Sequence, residues 1–162
     1  MTKPVRTVHL EPPTEDEFGR WIEPQIRDCA RSYVRAGTPS PEEVLTKACE
    51  CVGRLLPNGV ATPGHHLWVA RDEETGERVG RLWIEMRSSA SSPEAFIHFV
   101  GVDENEQGKG YDRAMMNAGV VAARRLGAAS IAWNVYGENT TAYDLCSSLG
   151  HRSMGQTMRL EF

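Results

Sequence analysis

The chain has 162 residues, of which 40% are hydrophobic and 25% are charged, and its formal net charge is −4. This length suits a single domain with a sizeable core. The acidic balance disfavours nucleic acid and anionic membranes as partners. No window is apolar enough for a signal peptide or a transmembrane helix, so we expect a cytoplasmic protein. The four cysteines are too few for a disulfide scaffold.

The first half of the chain predicts one strand followed by two amphipathic helices. Residues 5–10 suit a strand, and two prolines follow it. Residues 14–37 predict a helix, because Thr14 and Glu17 have the spacing of a capping box and apolar residues recur every three or four positions. Residues 40–57 predict the second helix, which has a serine cap and a proline at its first position.

The second half of the chain changes period and alternates strands with helices. It predicts strands at 67–70, 78–86, 95–102, 130–135 and 153–160, and helices at about 113–126 and 140–149. The strand at 95–102 is apolar on both faces, which favours a central position in the sheet. The resulting order, β-α-α-β-β-β-α-β-α-β, predicts a mixed sheet with helices on both faces.

The most informative segment is a glycine-containing loop between a strand and a helix, formed by Gln107, Gly108, Lys109, Gly110, Tyr111 and Asp112. Glycines allow positive φ angles and a close approach of the backbone to a ligand. The start of a helix offers free N–H groups and the positive end of the helix dipole, which suit a pyrophosphate. Neither common nucleotide-binding glycine motif is present, so a plain strand-to-helix turn is the alternative.

Two segments resemble the GNAT (N-acetyltransferase) superfamily. Residues 107–110 match the start of its [QR]-x-x-G-x-[GA] pyrophosphate loop. Asn139 and the helix that ends at Leu149-Gly150 match its second motif, an asparagine followed by a helix and a last strand. The resemblance covers about residues 5–160 and implies a single acyltransferase domain over 1–162. It also implies an α/β (α+β) fold with a mixed, mostly antiparallel central sheet flanked by helices on both faces.

The resemblance implies that an acetyl group moves from acetyl-CoA to the amine of a small molecule by direct attack, with no metal. Backbone groups of Val100, Gly101 and Val102 would hold the pantetheine arm and polarise the carbonyl. The amides of the 107–112 loop would hold the pyrophosphate, and the Asn139 side chain would contact the pantetheine arm. One acid and one base would move the protons of the reaction.

The acid and the base are not obvious in this sequence. Many relatives carry a carboxylate on the strand where this chain has Gly101, so Glu85 on the neighbouring strand is the candidate base and His98 the second candidate. Cys146 stands where many relatives carry a tyrosine that protonates CoA, although a lone cysteine on a short helix is more often packing. Tyr143, one turn earlier, is the alternative acid or a surface aromatic.

The acceptor cleft has three candidate residues, His98, Trp83 and Trp133. If the two tryptophans line the cleft, they favour an apolar or aromatic amine over a polycation, but on strands they can equally be core residues. The adjacent histidines His65 and His66 suit a solvent-facing turn better than metal ligation.

Asp112 departs from the family pattern, in which the loop ends in glycine or alanine. A carboxylate ~4 Å from a phosphate costs on the order of 4 kcal/mol at an effective dielectric constant near 20. Alternatively, Asp112 is the N-cap of the following helix. Two functions therefore stay open: an N-acetyltransferase, or a repurposed or degenerate GNAT-fold protein that binds CoA weakly or not at all and acts as a small-molecule binder or a CoA-independent enzyme. An exposed edge strand can support a homodimer.

Overall fold

A computed structural model describes residues 4–38, 40–88, 92–135, 139–156, 158–160 and 162. Its strands are β1 Val8–Glu11, β2 His65–Asp72, β3 Arg78–Ser88, β4 Pro93–Val102 and β5 Ser130–Trp133. Its α-helices are α1 Glu15–Arg35, α2 Pro41–Leu55, α3 Tyr111–Arg125 and α4 Thr140–Ser148. Short 3-10 turns lie at Gly59–Ala61 and Glu104–Glu106. No helix in the described ranges is long and apolar enough to cross a membrane.

The five strands form one sheet in the order β1-β2-β3-β4-β5. The first three pairings are antiparallel, and β4 pairs with β5 in parallel. A bulge interrupts the pairing of β3 with β4, because Trp83 lies opposite Phe99 while the next residue, Ile84, lies opposite Ile97. The residue between them on β4, His98, has no partner in this register. The predicted mixed, mostly antiparallel sheet is confirmed.

Helices cover both faces of the sheet, as predicted. On one face, Met115 and Met116 of α3 and Cys146 of α4 join a buried cluster with Leu82 and Ile84 of β3. On the other face, Trp21 of α1 is fully buried, and its cluster contains Leu56, Leu67, Val69 and Trp83. Helices α1 and α2 bury part of the apolar stripe that their sequence period predicts, whereas Val34 and Leu45 stay 61% and 57% exposed.

The starts of the helices follow from local chemistry. The capping box is present, since Glu17 N donates to Thr14 Oγ1 at 3.2 Å and Thr14 N donates to Glu17 Oε2 at 3.0 Å. Helix α3 begins two residues earlier than predicted, at Tyr111, because Gly110 takes the N-cap position with a φ of 93°. That left-handed backbone conformation favours glycine.

The predicted last strand at 153–160 is wrong for the residues that the structure describes there, which belong to no strand. Met154 and Met158 are each 90% exposed. Alternating apolar residues define one face of a strand, but a strand also needs a neighbouring edge that accepts its hydrogen bonds. The preceding strand, β5, has only four residues and ends at Trp133, before the predicted boundary.

Candidate active site

A cleft of about 190 Å³ opens beside the part of β4 that lies beyond the end of β5. The two strands are paired only from Glu94 and Ser130 to Ile97 and Trp133. Strand β5 ends at this point, and α3 and α4 supply the other walls of the cleft. Six residues that the sequence singles out line it: Val100, Gly101, Val102, Asp112, Trp133 and Asn139.

The cleft side of β4 offers backbone groups that no strand uses. The parallel pairing with β5 stops at Ile97, so the β4 edge from residue 98 to residue 102 has no neighbouring strand on that side among the described residues. The Gln107 side-chain amide donates weakly to the Val102 carbonyl, at 3.4 Å. A free strand edge of this kind is a ready partner for the amide groups of an extended ligand.

The loop before α3 also leaves its backbone N–H groups free. Gly108 and Gly110 both have positive φ angles, of 77° and 93°. Within the described part of the chain, no oxygen accepts a hydrogen bond from the amides of residues 108–110. The first amides of α3 follow directly, and these also lack partners within the helix. Together they provide donors and a positive helix end that suit an anion.

A buried hydrogen bond anchors the first residue of α3 to the sheet. The Tyr111 hydroxyl donates to Asp72 Oδ2 at 2.6 Å, and both side chains are almost fully buried. Asp72 Oδ1 accepts from the amides of Glu74 and Thr75 in the β2–β3 turn. The bond to Tyr111 and those amides hold the pKa of Asp72 below its usual range, and the same bond raises the pKa of Tyr111 to about 12. Sequence reasoning missed this pair, because 39 residues separate its members.

Asp112 does not cap α3. The helix begins at Tyr111 with Gly110 as the N-cap, so the carboxylate belongs to the second helical residue, and the N-cap alternative is wrong. The Asp112 side chain is exposed and lines the cleft. No hydrogen-bond donor or cation of the described residues pairs with it. An unpaired negative charge therefore lies at the wall of the cleft.

Asn139 lies at the opposite wall, at the start of α4. Its side-chain oxygen accepts from the amide of Ala142 at 3.1 Å and so caps the helix. This bond uses the oxygen and leaves the side-chain NH₂ group to the cleft. The two candidate acids lie elsewhere: Cys146 is buried in the core, and Tyr143 is 49% exposed and is not a cleft residue. Burial raises the pKa of the Cys146 thiol, which agrees with its packing role.

The structure explains the missing carboxylate on β4. A Cβ atom built on Gly101 would lie 2.6 Å from Cζ of Phe99. The Arg81 guanidinium covers the same ring, 4.3 Å from its centroid, and is itself buried. A side chain at position 101 therefore has no room, and a base must come from another position.

Glu85 and His98 come together on the α1–α2 face of the sheet. Glu85 Oε2 lies 2.7 Å from His98 Nε2 and accepts from Arg87 Nε at 3.0 Å. His65 joins them, because the β2–β3 register places it opposite Glu85, and its Nε2 lies 4.0 Å from Glu85 Oε1. The His65 side chain is only 9% exposed, so the expectation of a solvent-facing turn is wrong for this residue. Trp83 is buried beneath this group, and of the three candidate residues of the acceptor cleft only Trp133 lines it, whereas His98 and Trp83 do not.

The charges of this pair follow from burial and hydrogen bonding. Burial lowers the pKa of His98 by more than Glu85 raises it, so the imidazole is neutral near neutral pH. Burial raises the pKa of Glu85, but the hydrogen bonds from His98 and Arg87 outweigh burial, and the net shift is downward. An ionised carboxylate thus faces a neutral imidazole.

Comparisons with known proteins agree with this architecture. The acetyltransferase (GNAT) family model matches residues 26–151. Over 152 residues the chain is 33% identical to the uncharacterized N-acetyltransferase YycN of Bacillus subtilis (strain 168), covering 94% of this chain and 97% of that protein. The crystal structure of YycN matches with a TM-score of 0.85 and 32% identity, covering 96% of this chain and 99% of that one.

A third similarity is partial. A mycothiol acetyltransferase of Propionibacterium freudenreichii subsp. shermanii is 38% identical over 99 residues, which are 61% of this chain and 31% of that longer protein. The fold defines a protein of the N-acetyltransferase class. The chain belongs to the acetyltransferase (GNAT) family and is a GNAT-type acyltransferase.

Proposed function

We propose that this acyltransferase takes acetyl-CoA as its donor and transfers the acetyl group to the amine of a small molecule. One observation carries the proposal: the unpaired edge of β4 and Asp112 line the same cleft, and the free amides of residues 108–110 precede Asp112 in the same loop-to-helix segment. The first set of groups suits the amides of a pantetheine arm, and the second suits a pyrophosphate. CoA contains both parts in one extended molecule.

The residues that would hold the donor follow from this arrangement. The backbone of Val100, Gly101 and Val102 would bind the pantetheine arm, and the Asn139 NH₂ group would contact it from the opposite wall. The amides of residues 107–112 would bind the pyrophosphate. The thioester supplies an activated acetyl group. The protein supplies its orientation, polarisation of the carbonyl and acceptance of a proton by the Glu85–His98 pair.

A small amine suits the acceptor side better than a polymer. Trp133 in the cleft favours an apolar or aromatic amine. The partial relative is named for a small molecule, mycothiol, which agrees with this choice of acceptor class.

Asp112 favours the second candidate function, a GNAT-fold protein that binds CoA weakly. Its carboxylate lines the cleft without a cationic partner in the described structure. Like charges repel, so Asp112 would oppose the pyrophosphate that the adjacent amides attract. The balance between these two effects decides whether the chain is an efficient acetyltransferase.

Calorimetry with acetyl-CoA tests the proposal. We expect binding with a Kd in the micromolar range, and tighter binding by Asp112→Ala, since alanine agrees with the family pattern. Asp144→Ala is the matched control, because it removes the same charge from an exposed residue of α4 outside the cleft. No heat at millimolar acetyl-CoA with the wild-type chain would exclude the transferase and support the weak binder.

A further inference from the structure

Four side chains form a connected polar group on the α1–α2 face of the sheet. Trp83 Nε1 donates to His65 Nδ1 at 3.0 Å. The other nitrogen of that ring, Nε2, lies 4.0 Å from Glu85 Oε1. Glu85 Oε2 in turn lies 2.7 Å from His98 Nε2. Strands β2, β3 and β4 thus each contribute to one line of contacts.

This line of contacts fixes where the imidazole protons are. The Trp83 indole is a donor only, so His65 Nδ1 must accept, and the proton of neutral His65 lies on Nε2 facing Glu85. Ionised Glu85 is an acceptor only, so His98 carries its proton on Nε2. The lone pair of neutral His98 is therefore on Nδ1, directed away from Glu85.

The same tautomer argues against a metal ion in this cluster. His65, Glu85 and His98 have ligand atoms within 4.8 Å of one another, and two histidines with a carboxylate are a common ligand set. A metal on Nε2 of His65 would force the ring proton onto Nδ1, where it would oppose the N–H of Trp83. The hydrogen bond from Trp83 thus favours proton chemistry over metal ligation.

His98 also lies at the right place in the fold. The last β4–β5 pair joins Ile97 to Trp133, and His98 is the next residue of β4, at the bulge. The cleft lining on β4 begins two residues further on, at Val100, and the His98 imidazole lies beside it on the α1–α2 face. The Trp83 ring stacks on it with centroids 4.4 Å apart, and Phe96 contacts it edge-on at 5.1 Å, which together hold the plane of the ring.

Glu85 is less suited to accept the proton itself. Its Oε2 already accepts from His98 and Arg87, at 2.7 and 3.0 Å. A carboxylate that accepts two hydrogen bonds from protein donors is a weaker base than a neutral imidazole with a free nitrogen. The geometry favours a carboxylate that orients a histidine.

We propose that Nδ1 of His98 is the general base of the transfer, and that Glu85, His65 and Trp83 are positioning residues that set its tautomer. This inference rests on the proposed function. In the step, the amine nitrogen forms a bond to the thioester carbonyl carbon, the C–S bond breaks, and the sulfur leaves with the electron pair as CoA thiolate. His98 Nδ1 takes the proton that the nitrogen loses, Glu85 stabilises the imidazolium, and the proton then passes to the thiolate or to water.

Nuclear magnetic resonance tests the positioning without any substrate. Long-range ¹H–¹⁵N spectra of ¹⁵N-histidine-labelled protein at neutral pH distinguish the two neutral tautomers and the cation. We expect the Nε2–H tautomer for both His65 and His98, with peaks assigned by His65→Gln and His98→Gln. Trp83→Phe should release His65 from this tautomer, whereas Trp68→Phe, on the opposite face of the sheet, should not. An Nδ1–H tautomer or an imidazolium at His98 would overturn the inference.

Kinetics test the base. With acetyl-CoA and 2-phenylethylamine as the probe amine, we expect His98→Gln to lower kcat/KM by about 100-fold or more, with His66→Gln unchanged. The charged and titratable groups around His98 are His65, Glu85 and Arg87. Glu85→Gln should move the acidic limb of the pH profile to lower pH, because the imidazolium loses its anion. Arg87→Gln should move that limb to higher pH, because a cation is removed.

The outcomes separate this inference from the proposed function. If wild-type protein does not bind acetyl-CoA in calorimetry, the proposed function fails. The NMR spectra still show whether Glu85, His65 and Trp83 set the tautomers of the two histidines. If acetyl-CoA binds and His98→Gln retains wild-type turnover, or the acidic limb does not respond to Glu85→Gln and Arg87→Gln, the base assignment fails while the transferase stands.

Discussion

The hydroxyl of Tyr111 donates to the carboxylate of Asp72 across 2.6 Å, which joins the first residue of α3 to the end of β2. Since the free amides of the glycine loop end at Tyr111, this bond fixes the position of the proposed pyrophosphate site relative to the sheet. The Arg6 guanidinium packs over the Tyr111 ring and lies 3.7 Å from Asp72, so it contacts both members of the pair.

Tyr111→Phe removes the donor and leaves a buried carboxylate with one partner fewer. We expect the melting temperature to fall by roughly 3–8 °C and the affinity for acetyl-CoA to weaken several-fold, because the start of α3 loses its anchor. Tyr143→Phe, at an exposed position of α4, should change neither quantity. Thermal unfolding and calorimetry measure the two effects, and an unchanged melting temperature for Tyr111→Phe would contradict the anchoring role.

Asp72 should also make stability depend on pH. Its pKa in the folded chain lies below the unfolded value of about 3.9, so its contribution is complete above that value and is lost as the pH falls toward the folded pKa. We expect melting temperatures between about pH 5 and pH 3 to fall less steeply for Asp72→Asn than for the wild-type chain. Glu50→Gln, at an exposed position of α2, should keep the wild-type slope. Parallel slopes for Asp72→Asn and wild type would refute the assignment.

Gly110 should tolerate no side chain. Its φ of 93° places an alanine in a region that costs about 1–2 kcal/mol, and any relaxation would move the loop amides. Gly110→Ala should therefore lower both the free energy of unfolding and the affinity for acetyl-CoA. Gly19→Ala is the opposite case, because this glycine lies inside α1 with open space at its Cβ, so alanine should stabilise by about 0.5–1 kcal/mol. Urea titration measures the free energy of unfolding of both variants. Changes of the same sign in Gly110→Ala and Gly19→Ala would be inconsistent with the backbone geometry.

Gly101 and Phe99 should be energetically coupled. The added methyl of Gly101→Ala meets the Phe99 ring at 2.6 Å, and overpacking of this kind costs about 1–3 kcal/mol. Phe99→Leu removes the ring atoms that clash, so the double variant should be more stable than the sum of the two single changes predicts. A double-mutant cycle by chemical unfolding gives the coupling. Strictly additive changes in the free energy of unfolding would mean that the Phe99 ring does not limit the size of the side chain at position 101.

The fold was largely predictable from the sequence, because most of its elements have strong local signals. The capping box at Thr14 and the glycine before α3 fix helix starts within a few residues, and the strands at 78–86 and 95–102 carry clear apolar runs. The segment at 153–160 shows the limit of this reasoning, since alternation cannot show whether a partner edge exists.

The candidate site was predictable only where its residues form a local motif in the sequence. The loop at 107–112 and Asn139 carry recognisable patterns, and Asp112 and Asn139 line the cleft. The pairing of His65 with Glu85 depends on the register of β2 with β3, and the place of His98 depends on a bulge. Local residue types determine neither the register nor the bulge. The sequence therefore predicts a solvent-facing turn for His65, and it leaves open whether Trp83 is a cleft or a core residue; the structure places Trp83 in the core.

An NMR titration tests the central claim most directly, because it observes the proposed donors themselves. Adding acetyl-CoA to ¹⁵N-labelled protein should shift the amide resonances of residues 108–112 and of residues 99–102 together, saturating at one equivalent. Shifts confined to other parts of the sheet, or none at millimolar acetyl-CoA, would contradict the account. In that case the cleft beside β4 would be a feature of the fold that does not bind an acyl donor.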